Sequence, residues 1–188
     1  NFGIFRAAAI IQMTWPGAPA IYYGDEAGVC GFTDPDNRRT YPWGHEDKEM
    51  IEFHRDMIRI HKENPEILTG SLKYITYDYN ILGYGRFNRK EAVAVVINNN
   101  AYEVERQVSV WPLGIPGECS MERLMLTTAG GYTTETESFP IEAGILKIVL
   151  PPTSAMVLKY KKLKTADIRT AHKSIFDRIR LAAENRFR

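Results

Sequence analysis

Cysteine is nearly absent from this chain, with only Cys30 and Cys119 in 188 residues. Two cysteines so far apart give no disulfide framework. They read as unrelated thiols, which favours a reducing, cytoplasmic setting. An excess of charge is missing as well. Twenty-four Lys and Arg face 23 Asp and Glu, a formal net charge of +1, so no global argument points to nucleic acid or an anionic membrane. No apolar run approaches the roughly 20 residues that span a bilayer, and "AAAIIQM" is far too short. The opening "NFGIFRAAAIIQMTWPG" has no initiator Met, sets Arg6 inside its apolar part and shows no cleavage pattern. It is therefore not read as a secretory leader, and the start reads as a chain entered partway along. His45, His54, His61 and His172 fall into no metal-ligand spacing, and neither a nucleophile elbow nor a phosphate-cradling loop occurs. No metal and no cofactor are expected.

What is present divides into three stretches. A length of 188 residues at 44% hydrophobic and 25% charged allows one medium domain or two small ones. Phe2, Phe5, Ala9, Ile10 and Met13 recur at helical spacing, which predicts a helix over 2–14 ended by "WPGAP". "AIYYG" then predicts a strand apolar on both faces, of the kind buried in a parallel sheet. Such a strand expects neighbours on both edges, so residues 1–65 are expected to be poorly ordered, dimerised or rearranged unless further strands are supplied beside them. Residues 25–45 read as a long polar loop. Met50, Phe53, Met57, Ile58 and His61 mark an amphipathic helix over 46–62, stopped by Asn64-Pro65. From "LKYITYDYNILGYGRFNRKEAVAVVINNNAYEVERQVSV" through "MERLML", "GILKIVL" and "SAMVLKY", short β-rich runs alternate with turn clusters. They indicate an antiparallel sandwich. The expected boundaries are thus 1–65, 66–160 and 161–188. The last stretch carries nine Lys or Arg against three Asp or Glu, with a stripe of Ile168, His172, Ile175, Phe176, Ile179 and Ala183. It is expected to be a basic amphipathic helix packed on the sandwich or on another subunit. A nucleic-acid or membrane helix is the weaker alternative, since acids interrupt the charge.

Candidate chemistry gathers between Ala18 and Trp43. Asp25 and Glu26 suggest a glycosidase pair. Adjacent residues on a strand point to opposite faces, however, so both cannot address one bond. One of them at a strand's C-terminal end could sit on a ligand rim, and structural pairing with Arg is the alternative. In "DPDNRRTYPW", Asp34 and Arg38 lie four apart across a proline-stiffened turn. A carboxylate and a guanidinium together offer the acceptors and donors that sugar hydroxyls require, and Tyr41 and Trp43 could supply apolar faces. An ordinary salt-bridged loop remains the other reading.

"PGAPAIYYGDEAG" followed by "DPDNRRTYPW" strongly resembles the α-amylase family of glycoside hydrolases, most of all its neopullulanase, cyclomaltodextrinase and maltogenic amylase branch. The β-rich stretch ending "LPPTSAMVLKY" is similar to that family's C-terminal sandwich, and the likeness covers roughly residues 1–160. The resemblance implies that 1–65 is the end of a (β/α)8 barrel: seventh helix, eighth strand and eighth helix. It implies that Asp34 and Arg38 grip the sugar on the non-reducing side of the scissile bond; Trp43, for its apolar face, is the third substrate-binding candidate. Tyr23, Asp25 and Glu26 would shape the rim. The family's nucleophile, acid/base and third essential carboxylate belong to other barrel strands, and nothing here matches their motifs. The chain is accordingly expected to be an inactive C-terminal part of a retaining α-glucan hydrolase. Its partners would be α-glucan oligosaccharides, the remaining barrel and, in a homo-oligomer, a second copy, with no nucleic acid and no membrane. The alternative is a non-catalytic β-sandwich module for glucan binding or assembly.

Overall fold

The computed structural model describes residues 2–161; the basic helix expected over 161–188 therefore lies outside the described residues except for Lys161. Helix α1 spans Phe2–Thr14 and buries Arg6, Ala9, Ile10 and Met13. Helix α2, Lys48–Glu63, buries Met50, Phe53, His54, Met57 and Ile60, close to the expected stripe but centred on Ile60 rather than Ile58. Its first turn is closed by Asp47, whose carboxylate accepts from the Met50 N–H at 3.0 Å. Pro65 does not merely stop this helix. It starts a short third one, α3, Pro65–Thr69, where its missing N–H and fixed φ suit a first helical turn.

Nine strands follow: β1 Ser71–Asp78, β2 Ile81–Phe87, β3 Glu91–Asn98, β4 Val104–Ser109, β5 Cys119–Thr127, β6 Tyr132–Thr133, β7 Ser138–Glu142, β8 Ile145–Leu150 and β9 Ser154–Lys161. They pair in the order β1-β2-β3-β9-β5-β7-β8-β4, with β6 beside β5, and every pairing is antiparallel. The sheet folds over on itself. Ala92, Ala94 and Val96 of β3 and Met156 and Leu158 of β9 pack with Val108 of β4 and Leu146, Ile148 and Leu150 of β8 in one apolar cluster. This is the mostly β, sandwich-like body that the alternating runs predict.

Strands β3 and β9 are buried on both faces. Alternation sends Val93, Val95, Ile97, Ala155 and Val157 outward, where they join Ile10, Met13, Met50, Phe53, Met57 and Ile67 of the helices in a second cluster. The helices thus find their partner in the outer face of the sheet. Arg86 of β2 fixes this contact. Its guanidinium is buried and donates to the Thr14 carbonyl at 2.9 Å and the Gly70 carbonyl at 2.8 Å, pairing carbonyls that the ends of α1 and α3 leave open.

The expected strand at 19–23 does not form. Residues 18–22 are irregular and a turn begins at Tyr23, with Tyr22 and Tyr23 about half exposed. A two-face apolar strand needs a ladder on each edge, and no described strand lies beside this one. The Ala20 carbonyl accepts instead from Gln12 Nε2 of α1 at 2.5 Å, and the Tyr22 carbonyl from the Asp25 N–H at 3.1 Å.

Candidate functional site

Two loop segments, 22–31 and 32–39, form the site. The first carries a one-turn 3-10 helix at Asp25–Ala27, framed by Gly24 and Gly28 at φ 91° and 76°, a left-handed geometry that glycine adopts freely. The second carries another at Asp36–Arg38, just after the cis Asp34–Pro35 bond. Gly31 lets them meet: a Cβ there would lie 2.7 Å from the Asn37 Cα and 2.8 Å from the Asp36 carbonyl oxygen. Tyr23 completes the join, its hydroxyl donating to the Arg39 carbonyl at 2.9 Å.

A cavity of about 160 Å³ opens between the segments, lined by Tyr22, Tyr23, Asp25, Gly31, Asn37 and Arg39. It is smaller than the roughly 300 Å³ at which small-molecule sites begin, and so is a notch rather than a full pocket. Desolvation lifts the Asp25 carboxyl above its ordinary value, opposed by the nearby His54 imidazole. Glu26 turns back to accept from the Gly24 N–H at 3.0 Å. The divergence of these two acids therefore has a different cause from the one expected. They sit on a 3-10 turn, not on a strand, and one of them is engaged with its own backbone.

In the second segment, Asp34 and Arg38 form a two-bond fork, at 2.7 Å through Nε and 2.8 Å through Nη2. Both side chains are more than half exposed. Asp36 and Arg39 form a parallel pair at 2.6 Å, and the Arg39 guanidinium holds the Asp36 carboxyl below its usual range. Asp36 also accepts from the Phe32 N–H at 3.0 Å. Trp43 is 80% exposed, and its ring centroid lies 4.5 Å from that of Tyr41. Desolvation and the Glu26 and Glu46 carboxylates raise the Tyr41 hydroxyl.

The structure therefore brings Tyr23 and Asp25 together in one cavity, while Asp34, Arg38 and Trp43 lie outside its lining. Sequence reasoning missed Asn37 and Arg39, which do line it. The available signal was the second Asp–Arg pair of "DPDNRR", spaced three apart at Asp36 and Arg39. The arrangement offers carboxylate acceptors, guanidinium donors, an amide and exposed aromatic faces, as a polyhydroxylated ligand requires. Among the described residues no three of His, Cys, Asp or Glu group closely enough to hold a metal ion.

The fold defines the class first. An α-amylase from Anoxybacillus superposes with a TM-score of 0.72 at 20% identity, over 87% of this chain and 33% of that one, so the architecture is one found in α-amylase-family enzymes. Sequence then narrows it. The chain is homologous to an amylopullulanase of Thermoanaerobacter thermohydrosulfuricus, 41% identical over 115 residues, 56% of this chain and 8% of that protein. It is likewise homologous to neopullulanase 2 of Thermoactinomyces vulgaris, 32% identical over 168 residues, 84% of this chain and 26% of that protein. Further homologues are named cyclomaltodextrinase and maltogenic α-amylase. No family profile matches the chain. The chain thus spans under a tenth of the amylopullulanase and about a quarter of neopullulanase 2.

Proposed function

We propose that this chain is the C-terminal portion of a retaining α-glucan hydrolase acting on maltodextrins, cyclodextrins or pullulan. Residues 1–65 would close a (β/α)8 barrel, and 66–160 would form the domain that follows it. The observation that supports this most is the extent of the neopullulanase likeness, which runs over 84% of the chain and so includes helical and β parts together. In this reading the segment at 19–23 becomes the eighth strand once neighbouring strands flank it. Asp34, Arg38 and Trp43 then contact the sugar, Tyr23, Asp25 and Glu26 shape the rim, and the nucleophile and acid/base come from other strands of the barrel.

Asp34 and Arg38 already hold each other as a fork, so they are presented as one preformed donor and acceptor unit. A sugar would exchange into that pair without requiring new side-chain ordering. The test uses both the 188-residue chain and the complete gene product. The chain alone should release no reducing sugar from maltoheptaose, β-cyclodextrin or pullulan, whereas the gene product should. In the gene product, Arg38→Ala should raise KM or lower kcat/KM at least tenfold and leave the melting temperature where it is, since the pair is exposed. Turnover by the chain alone would overturn the assignment of the catalytic acids elsewhere. A gene product that binds these glucans without turnover would favour the non-catalytic module instead.

A further inference from the structure

The sandwich carries a second and larger cavity, of about 390 Å³, where the β1–β2 turn meets the loop leading into β4. Its volume falls within the roughly 300–1,000 Å³ of small-molecule sites. Asp78, Tyr79, Asn80, Asn100, Tyr102 and Arg106 line it, and it shares no lining residue with the Tyr23–Arg39 cavity. Tyr79 is 95% exposed and Tyr102 64%. Two aromatic side chains that line this cavity therefore gain little from burial within the described residues.

The polar groups around them are, by contrast, fixed from the core outward. Asn98, fully buried at the end of β3, donates through Nδ2 to the Tyr102 and Pro151 carbonyls at 2.9 Å each. Its Oδ1 accepts from the backbone and side-chain N–H groups of Asn100, both at 2.9 Å. The Asn100 Oδ1 in turn accepts from Asn80 Nδ2 at 3.1 Å. Each of the two cavity amides keeps hydrogen-bonding capacity beyond these bonds. On the other side, Asp78 accepts from Arg106 Nη2 at 2.7 Å and from the Tyr79 N–H at 2.8 Å. These bonds hold its carboxyl below the usual range.

The charges select the ligand. Asp78 and Arg106 neutralise each other, and Glu105 adds one negative charge to the lining, so an anion is disfavoured. A neutral ligand with an apolar face and many hydroxyls matches rigid amides beside open tyrosine rings. We infer that this groove is a binding site for a neutral α-glucan oligosaccharide, with its sugar rings on Tyr79 and Tyr102 and its hydroxyls on Asn80 and Asn100. The α-glucan class rests on the function proposed above; the groove itself rests on the geometry.

Calorimetric titration of the 188-residue chain with maltoheptaose, and with cellohexaose as a differently linked control, tests it. Maltoheptaose should bind, and Tyr79→Ala and Tyr102→Ala should each weaken it about tenfold. Tyr79→Phe should retain most of the affinity, because the ring face is kept. The far-UV spectrum and melting temperature of Tyr79→Ala should match the parent chain, since that side chain is open to solvent. Failure of both maltoheptaose and cellohexaose to bind would overturn the groove. So would binding indifferent to both alanine variants but lost in Arg38→Ala, an outcome that leaves the proposed function standing. Cellohexaose binding lost in Tyr79→Ala, with no response to maltoheptaose, would keep a sugar groove and overturn the α-glucan reading.

Discussion

Tyr84 shows how one side chain ties the helices to the sheet. Its hydroxyl lies 2.6 Å from Thr14 Oγ1, and Thr14 Oγ1 is itself 2.6 Å from the Ile10 carbonyl. A carbonyl only accepts, so the threonine proton goes to Ile10 and the tyrosine proton goes to Thr14. Burial pushes the Tyr84 hydroxyl up to about 12 from an ordinary 10.0. A phenol that resists ionisation only in the folded state stabilises fully below pH 10, and that stability is lost as pH rises towards 12. The loss over this window is expected to be about 2 kcal/mol. Denaturant unfolding of the parent chain and Tyr84→Phe between pH 9 and 12 checks it. The parent should lose its advantage over the variant across that interval, and parallel curves would exclude Tyr84 as the cause. Arg86 is the complementary case, a buried cation that touches two carbonyls. Its residue type in an alternating β run gave no sign of that inward role.

The second helix was legible because its signals are local. Met50, Phe53 and Met57 repeat on one face, whereas the Asp47 cap and the burial of Ile60 came only with the structure. Asp47→Ala should cost about 1 kcal/mol in urea unfolding, and Asp47→Asn much less. Strand 19–23 failed for the opposite reason. An apolar run states that a segment is to be buried, not what will bury it, and a parallel strand exists only with its neighbours. The antiparallel runs fared better because successive strands carry their own partners nearby: β1, β2 and β3 pair in sequence order. The pairings of β9 with β3 and of β4 with β8 were not legible, since nothing in local periodicity links residues 36 or more positions apart.

At the scale of the whole molecule, the helices and the outer face of the sheet share one apolar cluster. Phe53 is fully buried within it, with its ring edge-on to Tyr132 at 5.3 Å between centroids. Phe53→Ala should therefore cost about 3–4 kcal/mol and should loosen the sheet as well as the helix. Native-state amide exchange is the measurement: protection of β3 and β9 should fall together with that of α2. Unchanged protection in the strands would mean that the two parts unfold separately.

The sequence by itself determined the two long helices, the β-rich body and the spacing of "YYGDE" and "DPDNRR" that carries the α-amylase resemblance, because propensity, capping and motif spacing are written in neighbouring residues. Tertiary structure alone decided the irregular path of 19–23, the mutual fork of Asp34 and Arg38, and the entry of Asn37 and Arg39 into the cavity. It also decided the placing of Tyr79 and Tyr102, from two different loops, in the lining of one cavity. Each of these depends on which distant backbone comes to lie alongside. Chain folding sets that proximity through the two apolar clusters, and local patterning does not encode it.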